Sequence, residues 1–252
     1  GEADLQARAL QFKNYTFLKR GEKRSGFTVH RWVAALGSQM ALFPNLNTAD
    51  PEWKKLLRDV RFRRALSLGI DRHEINQVVY FGLGLEGGNS VLPNSTLFKP
   101  SYRTKWSSYN VKMANELLDQ LGLDKRDSSD MRLMPDGRTL EIIVESAGEE
   151  SDQADVLQLI TDSWRKLGIR LFTKPTRREV LRRRAIAGAT TMSIWYGLEN
   201  GVPTANSSPA QLTPSRDDQL QWPKWGQYQI TEGKSGEPAD YPPAVKLIAL
   251  NK

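Results

Sequence analysis

The chain has 252 residues, 39% hydrophobic and 26% charged, enough to bury a full core as one large domain or two small ones. It contains no cysteine, which excludes disulfide and thiolate chemistry, and no apolar run approaches the roughly 18 residues that span a bilayer. The formal net charge of +7 raises nucleic-acid binding, but acids are numerous too. The arginine cluster Arg177, Arg178, Arg182, Arg183 and Arg184 comes without a recognition motif and reads as a solvated helix face; no nucleic acid is expected as a partner.

The opening "GEADLQARAL" has no Met, basic region or apolar region, so no signal peptide is expected in this chain. Asp50-Pro51-Glu52 places a capping side chain before a first-turn proline, predicting a short helix to about Leu57. Asp59 caps the next, with Val60, Phe62, Ala65 and Leu66 as its buried side. A bend at Gly69 to Asp71 follows, and Asp71 with Glu74 opens a third helix as a capping box. Gly82, Gly84 and Gly87 match G-x-G-x-x-G, but a helix precedes them and a turn-rich stretch follows. A dinucleotide site needs a preceding strand, so these glycines are read as a tight loop.

Asn110 opens a helix carrying Ala114, Leu117, Leu118 and Leu121, stopped by Gly122. "MRLMPDGRTLEIIVES" reads as a hairpin with its turn at Pro135-Asp136-Gly137 and its stronger strand at Leu140 to Glu145. Val156, Leu159, Ile160, Trp164 and Leu167 recur at helical spacing up to Gly168, and Ile169 to Lys174 is a strand. Thr176 and Glu179 predict a capping box on the arginine-rich helix, which ends near Gly188; Thr190 to Tyr196 is a third strand. Strand, helix, strand, helix, strand with short links implies parallel strands and an α/β class.

Open sheets of this class bind ligands beyond the carboxyl ends of their strands. The segment there is "WYGLENG", which offers an aromatic platform, an acid, an amide and two glycines that leave backbone accessible. The candidate ligand site is therefore Ser193, Trp195, Tyr196, Gly197, Glu199 and Asn200. Beyond Gly201 seven prolines predict an extended, irregular segment, with Trp222, Trp225 and Tyr228 as anchors and a short terminal helix begun by Pro242 and Pro243. The only histidines, His30 and His73, are far apart, and no metal-ligand spacing, G-x-S-x-G elbow or P-loop is present. No metal, no cofactor and no catalytic set are expected. The competing reading is an enzyme of unidentified reaction, a hydrolase in its least specific form.

The stretch "DPEWKKLLRDVRFRRALSLGIDRHEINQVVYFGLG" resembles the family 5 extracellular solute-binding proteins of ABC importers. Asp59, Arg61, Arg63, Ala65, Leu66, Ile70, Asp71, Arg72 and Ile75 match their D-x-R-x-R-x-A-L-x-x-x-I-D-R-x-x-I pattern position by position. The likeness continues through "FPNLNTADP", "YNVKMANELLDQLGL" and "PDGRTLEI…ITDSWRKLGI", while "GEADLQAR" is similar to the segment that crosses between lobes. The resemblance implies a type II periplasmic-binding-protein lobe with a mixed, largely parallel sheet flanked by helices. It implies that residues 1–200 form the second lobe of a two-lobe clamp, and 201–252 a Pro/Trp-rich extension packed on it. The implied partners are a peptide or small polar solute, a first lobe encoded by the same full-length chain, and a membrane permease. The implied location is periplasmic, or extracellular through a lipid anchor absent from this sequence. Peptide binders of the family place an Asp just after the third-strand Trp to hold the ligand's amino group. Matching Trp195 to that Trp puts Leu198 at the Asp position and Glu199 one residue later, so oligosaccharide, opine-like and other polar ligands stand beside peptide.

Overall fold

The computed structural model describes residues 4–7, 10–148, 151–204 and 210–251. Three strands, β2 (Glu141–Ser146), β3 (Arg170–Pro175) and β4 (Met192–Trp195), are parallel. Helix α7 (Ser151–Arg165) joins β2 to β3, and α8 (Arg178–Ala187) joins β3 to β4. A fourth strand that sequence patterning did not reveal, β1 (Ala41–Pro44), runs antiparallel beside β4, so the order is β1-β4-β2-β3. The sheet is mixed and mostly parallel, the expected α/β class.

Alternation sorts the strand side chains. Ile142, Val144, Met192 and Ile194 enter a core completed by Leu157, Ile160 and Trp164 of α7 and by the helices before β2. Those helices are α2 (Pro51–Arg58), α3 (Val60–Leu68), α4 (Arg72–Tyr80) and, after the one-turn α5 (Pro100–Thr104), α6 (Val111–Asp119). Each starts on its expected cap. Asp50 accepts from the Glu52 and Trp53 N–H groups at 3.0 Å, Asp59 from Arg61 N–H at 2.8 Å, Asp71 from Glu74 N–H and Asn110 from Met113 N–H. Trp164 satisfies its buried indole N–H on the Leu66 carbonyl at 3.1 Å, tying α7 to α3.

The bend between α3 and α4 is held by Arg72, whose guanidinium donates to the carbonyls of Ser67, Gly87 and Ser107 at 2.9, 3.1 and 3.0 Å. Desolvation lowers its pKa to about 10. One side chain thus collects three separate segments, including the loop carrying Gly84 and Gly87. Asn76 grips the same loop, accepting from Gly84 N–H at 2.9 Å, so those glycines belong to a packed turn.

Three local expectations are corrected. Val60 is exposed, not buried, because it lies roughly 200° around α3 from Phe62 and so on the opposite face. The Thr176/Glu179 capping box does not form: Thr176 N–H donates to the Ser146 carbonyl at 2.9 Å, prolonging the β2–β3 ladder, and α8 begins after Arg177 without a side-chain cap. The stretch after Gly201 is more regular than its prolines suggested. It contains α9 (Pro223–Ile230) as well as the expected terminal helix α10 (Pro242–Leu250). Trp225 and Ala244, both 1% exposed, lie in the same core as the sheet. At the other end, α1 (Tyr15–Ser25) buries no residue, and Phe12 meets the lobe through Tyr80 and Phe81, with ring centroids 5.8 Å away in each case. Among the described residues no helix is long and apolar enough to cross a membrane.

Candidate ligand site

The sheet face opposite the core carries Phe43, Glu145, Ser193 and Trp195, with Phe43 paired to Ser193 and Glu145 to Ser193 in register. Helix α8 covers this face. Glu145, 1% exposed, accepts three hydrogen bonds from Arg184, at 2.8 and 3.2 Å from Nε and 2.9 Å from Nη2. Those bonds hold the Arg184 guanidinium pKa above its ordinary value. One turn and a half earlier on α8, Arg178 places its guanidinium 4.7 Å from the Trp195 ring centroid. Tyr196 meets the same indole edge-on, at 5.5 Å.

Beyond Trp195 opens a cleft of about 280 Å³. One wall is the β4 exit: Phe43, Trp195, Tyr196, Gly197 and Glu199. Helix α8 supplies Arg178, Leu181 and Arg182. The third wall is the strap before α9, which contributes Gln211, Arg216, Asp218, Gln219, Leu220 and Gln221. Arg182 bridges two walls through an ion pair to Asp217 at 2.6 Å, and Arg216 pairs with Asp218 at 2.6 Å within the strap. Arginines, carboxylates and glutamine amides surround an aromatic floor. Such a lining can stack a flat ligand face and hydrogen-bond its polar edge. A wider, shallower depression along α10 has, among the described residues, Asp240 and Lys246 as its charged lining groups and lacks this convergence.

Four of the six candidate residues line the cleft: Trp195, Tyr196, Gly197 and Glu199, the last exposed. Ser193 does not. It is fully buried in the sheet, and its hydroxyl has no hydrogen-bond partner among the described residues. Asn200 is turned to its own loop, accepting from Val202 N–H at 3.1 Å. The expected backbone access at Gly197 and Gly201 is also corrected. Both are buried, donating to the Ser38 carbonyl at 2.9 Å and the Ala35 carbonyl at 2.7 Å, and a Cβ on Gly197 would press on Ser38 and Asn89. Their small size lets residues 35–38 lie against the loop. Leu198 is enclosed in the same packing, 7% exposed, with its N–H on Asn89 Oδ1 and its carbonyl taking Gly37 N–H. A carboxylate there would be buried among backbone, whereas Glu199 stands at the cleft mouth.

Sequence reasoning missed Arg178, Arg182 and the whole strap wall. Arg178 and Arg182 share a face by their i, i+4 spacing, but the solvated-face reading assigned them no partner. In fact Arg178 stacks on Trp195, Arg182 pairs with Asp217 and Arg184 pairs with a buried acid. Among the described residues no three His, Asp or Glu side chains converge as a metal site.

An α/β lobe with a mostly parallel sheet and a cleft at the carboxyl end of its strands has the periplasmic-binding-protein type of fold. The chain belongs to the bacterial extracellular solute-binding proteins, family 5: the model described as "family 5 Middle" matches residues 3–219. A probable ABC transporter-binding protein of Deinococcus radiodurans is 26% identical over 151 residues, covering 60% of this chain and 25% of that protein. The dipeptide-binding protein of Escherichia coli K12 is 27% identical over 152 residues, with 60% of this chain and 26% of that protein covered. In three dimensions the chain is similar to the oligopeptide-binding protein OppA, with a TM-score of 0.78 and 28% identity, covering 94% of this chain and 39% of that one. The matched region is thus about a quarter of the curated relatives' length.

Proposed function

We propose that residues 1–200 form the second ligand-binding lobe of a two-lobe solute-binding protein, with residues 201–252 packed on it. The full-length protein captures a peptide or other small polar solute between its lobes, outside the cytoplasmic membrane, and delivers it to an ABC permease without chemical conversion. Membership of family 5 supports this reading, and one structural observation carries it: Trp195 ends β4 at the floor of a cleft lined by arginines, acids and glutamines. We place the ligand on Trp195, with Glu199 as the group that meets a ligand cation at the mouth.

Calorimetric titration of the full-length, two-lobed protein with dipeptides, oligopeptides and oligosaccharides tests this. Trp195→Ala is expected to cost several kcal/mol with any ligand that stacks there. Glu199→Gln is expected to cost about 1.5–3 kcal/mol if the ligand presents an amine, and little if it is a neutral sugar. Wild-type affinity in both variants would remove the site from this cleft, and turnover of ligand would remove the binding-protein reading.

A further inference from the structure

Gly226 lies in the middle of α9, where glycine is disfavoured because it costs more backbone entropy than any other residue. Its backbone is helical, not left-handed, so conformational freedom is not what the position requires. What it requires is space. A Cβ at Gly226 would overlap the backbone carbonyl of Arg216 and stand 2.9 Å from the Arg216 nitrogen. The strap therefore lies directly on the bare face of α9, backbone against backbone.

The two sides of this contact are held differently: α9 by a side chain in the core, the strap by hydrogen bonds and an ion pair. Helix α9 is pinned: Trp225 is buried in the core, and Asn47 Oδ1 accepts from Lys224 N–H at 3.0 Å. The strap is held at its end by Leu46 N–H on the Gln221 carbonyl at 2.8 Å and to α8 by the Arg182–Asp217 ion pair, and between these its turn is organised around its own residue Gln219. Its Oε1 accepts from the N–H groups of Ser215 and Arg216, at 3.0 and 3.1 Å, and from the Trp222 indole at 2.9 Å. Arg216 and Asp217 are thus carried as one turn, with α9 behind them and the cleft in front.

From this we infer that Gly226 is a positioning residue for the ligand cleft: by admitting the strap onto α9, it sets how far Arg216 and Asp218 stand from Trp195. A side chain at 226 cannot displace α9 from the core, so it moves the strap and with it the third wall. As a determinant of ligand affinity this rests on the solute-binding reading above. As a statement about cleft geometry it does not.

The chain has no cysteine, so a single one can be labelled without background. Asp218→Cys, exposed on the strap, is labelled with bimane, a fluorophore that tryptophan quenches at contact range. The part of the quenching due to Trp195 is obtained by repeating the measurement with Trp195→Phe. Adding Gly226→Ala is expected to change that part by about twofold or more, since overpacking against backbone forces a shift. Ile142→Val, a core change far from the strap, lowers stability but leaves the quenching as in wild type, which separates positioning from general destabilisation. Unchanged quenching in folded Gly226→Ala overturns the inference. If that variant does not fold, Gln219→Ala releases the strap turn with Gly226 intact; it too must change the quenching, and unchanged quenching there overturns the inference equally. No ligand enters the measurement, so failure of the solute-binding reading would show in the titrations and leave this result standing.

Discussion

Replacing Trp225 with alanine tests whether the C-terminal segment is part of the fold or an appendage. The indole is 1% exposed and sits in the core; its ring stacks on Tyr241 at 6.2 Å, and the Arg58 guanidinium lies 5.1 Å from its centroid. Arg58 is in turn held by Asp240 at 2.8 Å and by the Leu46 carbonyl at 3.0 Å. Truncating a buried Trp costs about 3–5 kcal/mol. Stacking contributes about 0.5–1.5 kcal/mol and the cation–π contact about 0.5–1 kcal/mol, partly contained in that range. The expected loss is therefore about 4–5 kcal/mol. For a chain of this size that corresponds to a fall in Tm of roughly 10–15 °C. Urea unfolding followed by far-ultraviolet circular dichroism measures it. Trp32→Ala, at a residue 70% exposed, is the control and should stay within about 0.5 kcal/mol of wild type. A loss below about 1 kcal/mol in Trp225→Ala would mean that the segment folds on the surface and adds nothing to the core.

Two further outcomes are expected. Glu145→Gln leaves the Arg184 guanidinium without its charge partner under α8, at a cost of about 1–3 kcal/mol, reduced from the fully buried case because Arg184 keeps some solvent; a urea midpoint equal to wild type would contradict it. Acid should destabilise the chain through Asp50, Asp59 and Asp240. Hydrogen bonds from Arg138, Arg61 and Arg58, respectively, hold their native pKa values below the ordinary 3.8. Their contribution is complete above the unfolded-state value and disappears as pH falls through the lower native ones. Urea midpoints measured from pH 6 down to about pH 2 should therefore decline below about pH 4. The triple Asn variant should be less stable at neutral pH and show a flatter acid limb; an unchanged slope would refute the assignment.

How far such features could be read in advance depends on the sequence distance over which the deciding contact acts. Asp50, Asp59, Asp71 and Asn110 meet N–H groups two or three residues away, so side-chain chemistry and spacing were sufficient to place four helix starts. The core stripe of α7 and the alternation of β2 are likewise periodic and local. Trp195, at the end of β4, could be placed at the edge of a cleft because strand order and helical links already imply at which end of the sheet it lies. Strand β1 could not: four residues ending in proline carry little pattern, and they are a strand only because Ala41 to Pro44 pair with a segment about 150 residues later. The start of α8 depended on a ladder bond from Thr176 to Ser146, which outcompeted the local capping box. Glycines 197 and 201 looked like backbone left open, and packing made them backbone closely covered. The strap wall was hidden for the same reason. Arg182 and Asp217 are surface charges in any local reading, and Gly226 is a mere flaw in a helix. They acquire roles only when the core seats Trp225 and brings α9, the strap and α8 together around Trp195.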